Sequence, residues 1–137
     1  MREVFERLRP GLRTFRDERG RELFDVEGAP LPNPDTPAPV RFLPEYDNVL
    51  LGHKDRSRII GVNVPQWTDV GWGGVLVDGF GAARWRLYRD HDDATLRVES
   101  FRGLPRAERA DIAEEGERLI RFLAADAVRL DVRITRR

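Results

Sequence analysis

The sequence predicts an α+β protein: a helix and a hairpin, a proline-rich linker, and then antiparallel strands with one packed amphipathic helix. Three observations favour this fold class. Short alternating segments bounded by turn residues recur along the chain, as expected of antiparallel strands. One long segment, 105–125, carries apolar residues at helical spacing. Between the first hairpin and the rest of the chain, a stretch dense in proline marks a boundary.

Residues 1–27 predict a short helix followed by a hairpin. Apolar residues recur at helical spacing, and Pro10-Gly11 ends the helix. Two alternating strands follow, 12–16 and 21–26, on either side of a turn that contains a glycine. A winged-helix module ends in the same way, with its recognition helix running into its wing. We therefore predict that residues 1–27 are the helix and wing of such a module, although these elements alone are too small to bury a core.

Residues 28–39 contain five of the nine prolines of the chain. Proline fixes its own backbone and favours an extended, semi-rigid chain. We interpret this stretch as a linker between residues 1–27 and a C-terminal domain at 40–137.

The sequence of the C-terminal domain predicts a series of short strands joined by tight turns. Pro44 ends the first strand, and residues 45–52 form a turn or a short helix. The Asp78-Gly79 pair and the His-Asp-Asp run at 91–93 supply two further turns, which suggests an antiparallel meander. The expected strands are 40–43, 59–64, 75–79, 83–88, 95–101 and 128–134.

One long helix and one aromatic loop complete this domain. The segment 105–125 begins with proline and predicts an amphipathic helix of about five turns. The residues of its apolar stripe are Ile112, Leu119, Ile120 and Leu123. Residues 65–74 form a loop with three glycines and two tryptophans, Trp67 and Trp72. These aromatic side chains either cap the core or face a partner, and the sequence leaves both alternatives open.

Composition excludes several classes of site. The chain has no cysteine, which rules out disulfides, thiolate metal ligands and a cysteine nucleophile. Neither a glycine-rich phosphate loop nor a serine elbow occurs, and we expect no cofactor. No apolar stretch approaches the roughly 20 residues that cross a bilayer, so we expect a cytoplasmic protein without a membrane partner. The formal net charge is zero, and binding to nucleic acid must therefore come from local clusters.

Two local clusters of basic residues are candidate DNA contacts. All of the 24 basic residues except Lys54 are arginines, whose forked donors suit phosphates, although genome base composition explains this bias equally well. We expect the first cluster to lie on a phosphate backbone as part of the wing. The second cluster follows the first strand of the C-terminal domain, and a solvated surface is its alternative interpretation. The candidate residues are Arg13, Arg16, Arg19 and Arg21 in the first cluster and His53, Lys54, Arg56 and Arg58 in the second.

Other polar groups are better explained by structure than by chemistry. Glu45 and Asp47 have the side chains of an acid and base pair, but on a turn they need not converge. We expect Asp47 to accept backbone N–H bonds that fix the turn or cap the following segment. His91, Asp92 and Asp93 are adjacent on a turn and cannot all face one ion. The sequence therefore predicts neither a catalytic pair nor a metal site.

Four stretches of the sequence, taken together, resemble the C-terminal part of the winged-helix DNA-binding proteins related to the AlkZ and YcaQ DNA glycosylases. These stretches are LRTFRDERGRELFDV, PVRFLPEYDNVLLGHKDRSRII, VLVDGFGAARWRL and LPRAERADIAEEGERLIRFL, in that order. The most specific elements are the Leu-Pro-Glu-Tyr-Asp-Asn run and the Val-Asp-Gly that precedes Trp85 by six residues. On this resemblance, the structural residues of the family motif are Pro44, Asp47, Asp78, Gly79 and Trp85.

The resemblance implies tandem winged-helix modules closed by a small C-terminal β-barrel, which together cradle duplex DNA. The strands of 40–137 would then form a small antiparallel β-barrel. Family members excise alkylated bases or unhook crosslinks without a metal or cofactor, using a Gln-apolar-Gln or Gln-apolar-Asp motif. Gln66 is the one glutamine of this chain and Thr68 stands two positions later, so the motif is not matched.

We therefore expect the DNA-binding C-terminal portion of a glycosylase-like protein, non-catalytic in this chain. Its partner would be duplex DNA, alkylated or crosslinked, once winged-helix modules are supplied from before Met1. Two alternatives stay open: a structural or protein-interaction barrel with an apolar patch at Trp67 and Trp72, and the C-terminal end of an active glycosylase. The family pattern has Gly and Thr where this chain has Ala83 and Arg84, which leaves the local turn geometry open.

Overall fold

The computed structural model describes residues 2–61 and 70–137. The chain folds into two compact units, Met1–Thr36 and Pro37–Arg137. Within the described residues, the first unit contains a helix and a two-stranded hairpin, and the second contains a five-stranded sheet and three helices. The elements are α1 (Arg2–Leu8), β1 (Leu12–Arg16), β2 (Glu22–Val26), β3 (Arg41–Leu43), α2 (Asn48–Leu51), α3 (Ser57–Ile60), β4 (Gly73–Val77), β5 (Phe80–Asp90), β6 (Asp93–Ser100), α4 (Arg106–Leu123) and β7 (Arg129–Arg136).

In the first unit, a helix leads directly into the hairpin. α1 is followed by a single 3-10 turn that contains Pro10, which has no backbone N–H to continue an α-helix. β1 and β2 pair antiparallel from Leu12 opposite Val26 onward. The helix contacts the hairpin through Phe5 and Phe24, whose ring centroids are 5.1 Å apart in an edge arrangement. The predicted helix and hairpin are therefore confirmed.

The second unit is built on a sheet with the strand order β3-β4-β5-β6-β7. The first three pairs of neighbours are antiparallel, as predicted for a meander. β6 and β7 are parallel, with Leu96 opposite Val132. Parallel neighbours require a crossover connection, and α4 provides it as it runs back across one face of the sheet.

The expected antiparallel β-barrel is wrong. In the part of the chain that the structure describes, β3 and β7 are the two edges of an open sheet. Alternation over 128–134 correctly predicts a strand, but alternation reveals neither the direction of a strand nor its neighbour. Because α4 separates β6 from β7 in sequence, the last strand returns parallel to β6 and lies at the edge of the sheet.

The strand expected over 59–64 is also wrong where it can be compared, because Ser57–Ile60 forms the helix α3. The rest of that prediction, 62–64, lies outside the described residues. Asp55 Oδ1 starts the helical turn by accepting hydrogen bonds from the backbone N and hydroxyl of Ser57, at 3.0 and 2.6 Å. Gly61 then ends the turn with a φ of +74°. Two adjacent isoleucines are too short a run for periodicity to decide between helix and strand.

The long helix predicted over 105–125 is confirmed as α4. Ile112 and Ile120 of its apolar stripe are fully buried against the sheet, and Leu119 is half-buried. Leu123 departs from the prediction, because it lies at the end of the helix and is exposed.

Gly116 lets α4 approach the strands closely. A Cβ at this position would lie 3.1 Å from Val132 Cγ1 and 3.2 Å from Leu96 Cδ2. These distances are tighter than most real contacts, so the helix can pack this closely because the side chain is missing. Leu96 is completely buried in the resulting cluster, which also includes Ala94.

The other face of the sheet is covered only in part. Leu50 of α2 and Ile60 of α3 pack against Leu76 of β4. Farther along β5, and across β6 and β7, this face carries exposed side chains. The sheet therefore has one face packed on α4 and a second face that is half apolar and half polar.

Candidate nucleic-acid interface

The hairpin of the first unit presents two arginines to solvent. Arg13 and Arg16 both lie on β1 and are exposed. Neighbouring side chains alternate along a strand, so residues three apart lie on opposite faces of the hairpin. The Arg13 guanidinium carbon is 4.9 Å from the Phe15 ring centroid, a contact that orients the cation without neutralising it. Among the described residues, neither arginine forms an ion pair, and both charges face solvent.

Arg19 and Arg21 at the hairpin tip are organised by Asp17. Asp17 Oδ1 accepts hydrogen bonds from the backbone N of Arg19 at 2.9 Å and of Arg21 at 2.8 Å, and Oδ2 lies 2.7 Å from Arg21 Nε. Burial by itself raises the pKa of Asp17, but the hydrogen bonds from Arg21 and the backbone outweigh burial and lower the pKa below its ordinary value. Arg21 is thus engaged in holding the turn that Arg19 occupies.

The second basic cluster lies between α2 and the first residues of α3. His53, Lys54 and Arg58 are exposed, whereas Arg56 is half-buried. Arg56 Nε donates a hydrogen bond to the carbonyl oxygen of His53 at 3.2 Å, which closes the loop on itself. The nearby Asp55 carboxylate accepts two hydrogen bonds from Ser57 through Oδ1. The structure therefore brings these four basic residues together on one short surface segment.

The carboxylates before α2 have different surroundings. Asp47 Oδ1 accepts a hydrogen bond from the backbone N of Val49 at 2.8 Å and caps α2, which confirms the structural role predicted for it. A hydrogen bond to the Glu45 carboxylate, followed by its charge, raises the pKa of Tyr46. Glu45 Oε1 is buried and has no hydrogen-bond partner among the described residues. With Asp47 engaged in the cap, these two carboxylates do not form an acid and base pair.

Trp85 joins the two most specific stretches of the sequence. Its Nε1 donates a hydrogen bond to the carbonyl oxygen of Leu43 at 2.9 Å, and its ring meets Phe42 edge-on at 5.9 Å. Gly73 of β4 lies beneath this contact, because a Cβ there would collide with the Leu43 oxygen and the Trp85 indole. The tryptophan of β5 therefore reaches across β4 to the end of β3, where Pro44 stops the strand.

Asp78 and Gly79 form the turn predicted between β4 and β5. Their φ angles are +50° and +76°, and Val77 is paired with Phe80 on either side. A two-residue hairpin with two positive φ angles is a type I′ turn, for which Asp-Gly is a favoured sequence. The turn sets the register of Val77 and Leu76, and a register shift between Leu76 and Val75 then places Trp85 opposite Gly73.

The sequence matches the family described as DNA glycosylase AlkZ-like over residues 1–122. The chain belongs to the AlkZ-like DNA glycosylase family. The resemblance to AlkZ-like DNA glycosylases inferred from the sequence is thereby confirmed.

A solved structure supports the same fold. The Streptomyces sahachiroi DNA glycosylase AlkZ is similar to this AlkZ-like chain with a TM-score of 0.55 at 22% sequence identity. The match covers 98% of this chain and 36% of AlkZ. A comparison with curated proteins found no significant match.

Ala83 and Arg84, at which the sequence left the local turn geometry open, are both buried. Arg84 Nε and Nη2 donate to Glu99 Oε2 at 2.9 and 2.7 Å, and the guanidinium carbon lies 4.1 Å from the Trp72 ring centroid. Trp72 is only 8% exposed, so the alternative in which it belongs to an exposed apolar patch is wrong. Trp67 lies outside the described residues.

The turn predicted at the His-Asp-Asp run is present between β5 and β6. His91 Nδ1 lies 2.7 Å from Asp90 Oδ1, and both side chains are almost fully exposed. No group of three or more potential ligands that could hold a metal ion occurs in the described ranges 2–61 and 70–137. Within the same ranges, no helix combines the length and the apolar character needed to cross a membrane.

Sequence reasoning missed one basic cluster, on β5, β6 and β7 of this AlkZ-like chain. Arg86, Arg97 and Arg133 lie side by side in the sheet and are exposed. The signal available in the sequence is a polar residue at every second position of each strand. That signal gives the face of each arginine, but the alignment of all three requires the register of two strand pairs, one of them parallel.

Proposed function

We propose that this chain is a DNA-contacting, non-catalytic portion of an AlkZ-like DNA glycosylase protein that acts on alkylated or crosslinked duplex DNA. The observation that carries the proposal is the hairpin of the first unit. Arg13 and Arg16 extend from it into solvent, and no carboxylate among the described residues neutralises them. Forked guanidinium groups on an exposed hairpin suit backbone contacts, which position a protein on a duplex without reading its sequence.

The domain organisation that we propose follows the sequence. Residues 1–27 are the helix and wing of a winged-helix module, 28–39 are the linker, and 40–137 are the C-terminal domain. In this arrangement the wing supplies backbone contacts at its tip, where Asp17 holds the backbone of Arg19 and Arg21. The Asp17 contacts support the proposal because they limit the freedom of the tip before DNA is bound.

The second cluster adds weaker support. His53, Lys54 and Arg58 are exposed on one segment, and the Asp55 carboxylate, which accepts two hydrogen bonds from Ser57, keeps one negative charge among them. Arg56 is half-buried and donates to a backbone carbonyl, so it contributes mainly to the shape of the loop. We therefore assign Lys54 the more direct phosphate contact of this cluster.

The non-catalytic part of the proposal depends on the sequence. The family motif needs two polar side chains on either side of an apolar residue, and Gln66 is followed two positions later by Thr68. A base-excision assay with an alkylated duplex tests this directly. We expect no excision by the 137-residue chain, and measurable excision would replace this proposal with an active glycosylase.

The salt dependence of duplex binding tests the DNA contact. Each lost phosphate contact should reduce the slope of log affinity against log salt by about 0.9. We expect the slope of the double variant Arg13→Gln, Arg16→Gln to be smaller than that of the unmodified chain by about 1.8, which corresponds to two lost phosphate contacts. Arg118→Gln, Arg121→Gln is the matched control, because these α4 arginines pair with Glu114, Glu115 and Glu117 and carry the same total charge.

Two outcomes would contradict the proposed contact. If the unmodified chain binds no duplex at about 50 mM salt, where the electrostatic contribution is large, the DNA-contacting function is wrong and a protein-interaction module becomes the better explanation. If both double variants change the slope equally, binding reflects net charge and does not use the hairpin.

A further inference from the structure

The partly covered face of the sheet, opposite α4, carries a row of three arginines that crosses three adjacent strands. Arg86 of β5 is the register partner of Arg97 on β6, and Arg97 is in turn the partner of Arg133 on β7. Trp85 and Leu87, the neighbours of Arg86, pack on the α4 side, so the row lies on the opposite face. All three arginines are exposed. We call this set the arginine row.

The residues around the arginine row form a regular pattern. On one side Tyr88, Thr95 and Asp131 are register partners across the same strands, and on the other side the partners are Arg84, Glu99 and Thr135. This block therefore holds four arginines against two carboxylates. Arg84 and Glu99 are buried as an ion pair, which leaves the excess positive charge on the exposed row.

Like charges directly opposite each other destabilise a sheet, so a row of three has an energetic cost in the free protein. The row is only partly compensated from within the chain. Arg97 Nη2 lies 2.7 Å from Glu99 Oε1, and Arg133 Nε lies 2.6 Å from Asp131 Oδ2. Glu99 is shared with Arg84, and exposed pairs such as Arg133 with Asp131 contribute little to stability. An anionic ligand on this face would relieve the remaining repulsion.

The same face is concave and offers hydrogen-bond donors. A cavity of about 410 Å³ is lined by Tyr88, Thr95, Arg97, Arg133 and Thr135. The Arg86 guanidinium carbon lies 5.6 Å from the Tyr88 ring centroid, which holds this arginine along the rim of the row. Arginine forks and threonine hydroxyls are the side-chain donors that commonly contact phosphate and sugar oxygens.

The spacing of the arginine row favours one kind of anion. Adjacent strands lie about 4.8 Å apart, so the three arginines span roughly 10 Å. Successive phosphates of one DNA strand advance by about 3.4 Å along the duplex axis, but they also wind around it, so their through-space separation is larger and a row of roughly 10 Å reaches about two to three of them. A duplex backbone carries its charges at a fixed interval within reach of this row, whereas the carboxylates of an acidic peptide have no such fixed interval.

We propose that the arginine row is a second DNA-backbone site, formed by other residues than the hairpin and the loop between α2 and α3, and that it holds about two to three consecutive phosphates of one strand of a duplex. The inference rests on the proposed DNA-contacting function. It adds a surface in the second unit that binds phosphates through the sheet face itself.

The test is the salt dependence of binding to a short undamaged duplex. The triple variant Arg86→Gln, Arg97→Gln, Arg133→Gln should lose roughly two to three units of slope, at about 0.9 per contact. The control triple variant, Arg106→Gln, Arg118→Gln, Arg121→Gln, removes the same charge from α4 on the opposite face and should keep nearly the full slope. Thermal unfolding of the sheet-face variant should be unchanged or shifted upward, because its substitutions relieve repulsion within the row.

A second measurement uses the unmodified chain, so that it does not depend on how the variant folds. Upon titration with the same duplex, the side-chain Nε–Hε NMR signals of Arg86, Arg97 and Arg133 should shift together. Binding with an unchanged slope in the triple variant, or without shifts at these signals, would overturn the arginine row and leave the hairpin proposal intact. Failure of the unmodified chain to bind any duplex would overturn both. Shifts caused only by polyglutamate would show that the occupant is an acidic protein and would overturn the DNA assignment.

Discussion

The two units of the chain are stabilised in different ways. Among the described residues of Met1–Thr36, no hydrophobic residue is buried, and Val4 and Leu8 of α1 are more than half exposed. In Pro37–Arg137, three apolar clusters surround the sheet, and Val75 and Leu96 are completely buried.

This difference means that the proposed DNA contacts of the hairpin lie in the less stable of the two units. The first unit relies on polar interactions at its surface, including Arg9 with Glu22 and the bonds that Asp17 makes at the tip. Exposed ion pairs stabilise a fold only weakly, whereas a fully buried leucine or valine contributes about 1.5–3 kcal/mol. The hairpin that carries Arg13 and Arg16 is therefore expected to be the less stable element, and the sheet that carries the arginine row the more stable one.

Hydrogen exchange should display this contrast most strongly. A unit of roughly 100 residues has a global stability of about 5 kcal/mol or more, and tenfold protection corresponds to about 1.4 kcal/mol. We expect backbone amides of β5 and β6 to be protected on the order of a thousandfold more than those of β1 and β2. Mass spectrometry of exchanged peptides measures the ratio, and equal protection of the two hairpins would show that the first unit is held more firmly than its exposed surface indicates.

The largest mutational effect is expected at the buried ion pair of the second unit. Arg84 and Glu99 have side chains that are each 9% exposed, and Glu99→Gln removes the charge that balances Arg84. Breaking a buried pair from one side costs roughly 3–5 kcal/mol, which urea unfolding monitored at β5 and β6 would measure. Replacing both partners, with Arg84→Met and Glu99→Leu, should recover most of this loss. A single variant as stable as the parent would mean that water already screens the pair.

A smaller effect is expected at the close contact between three strands. Gly73→Ala places a Cβ against the Leu43 oxygen and the Trp85 indole, and overpacking of this kind costs about 1–3 kcal/mol. Gly103→Ala is the matched control, since a Cβ there meets nothing within 4 Å. We expect the first substitution to lower the thermal midpoint and the second to leave it within error. If both variants behave alike, the glycine is not required by the tryptophan contact.

Local signals in the sequence predict much of this fold. Pro10 and the turn glycine define the first hairpin, Asp78 and Gly79 define a second one, and the stripe of α4 is readable from its period. Each of these features depends on residues that are close in sequence. The same holds for Asp47, whose side chain caps a helix that begins at the next residue.

Features that depend on distant residues were not predictable. The described sheet is open because β7 pairs with β6 and not with β3, and no local pattern encodes this pairing or its parallel direction. The same pairing aligns Arg97 with Arg133, so the barrel error and the missed arginine row have one cause. The basic residues that the sequence did identify, Arg13 and Arg16, lie on a hairpin whose register is set by its own turn.

The smallest effect is a pH-dependent change at the hairpin tip of the first unit, which a substitution in the second unit should not alter. The pKa of Asp17 is lowered in the folded chain, so its contribution to stability is complete above the unfolded value of about 3.9 and is lost as pH falls through the lower folded value. Amide signals of Arg19 and Arg21, whose N–H groups bond to Asp17, should therefore shift only as the pH falls below about 3.9.

The variant Asp17→Asn should abolish this pH-dependent shift. Asp126, whose pKa the Arg89 hydrogen bond lowers, provides the control, because Asp126→Asn should leave the shift unchanged. A midpoint for the tip at the ordinary aspartate value would show that the Asp17 carboxylate does not hold the turn, and the hairpin would then have to be fixed by its strand pairing alone.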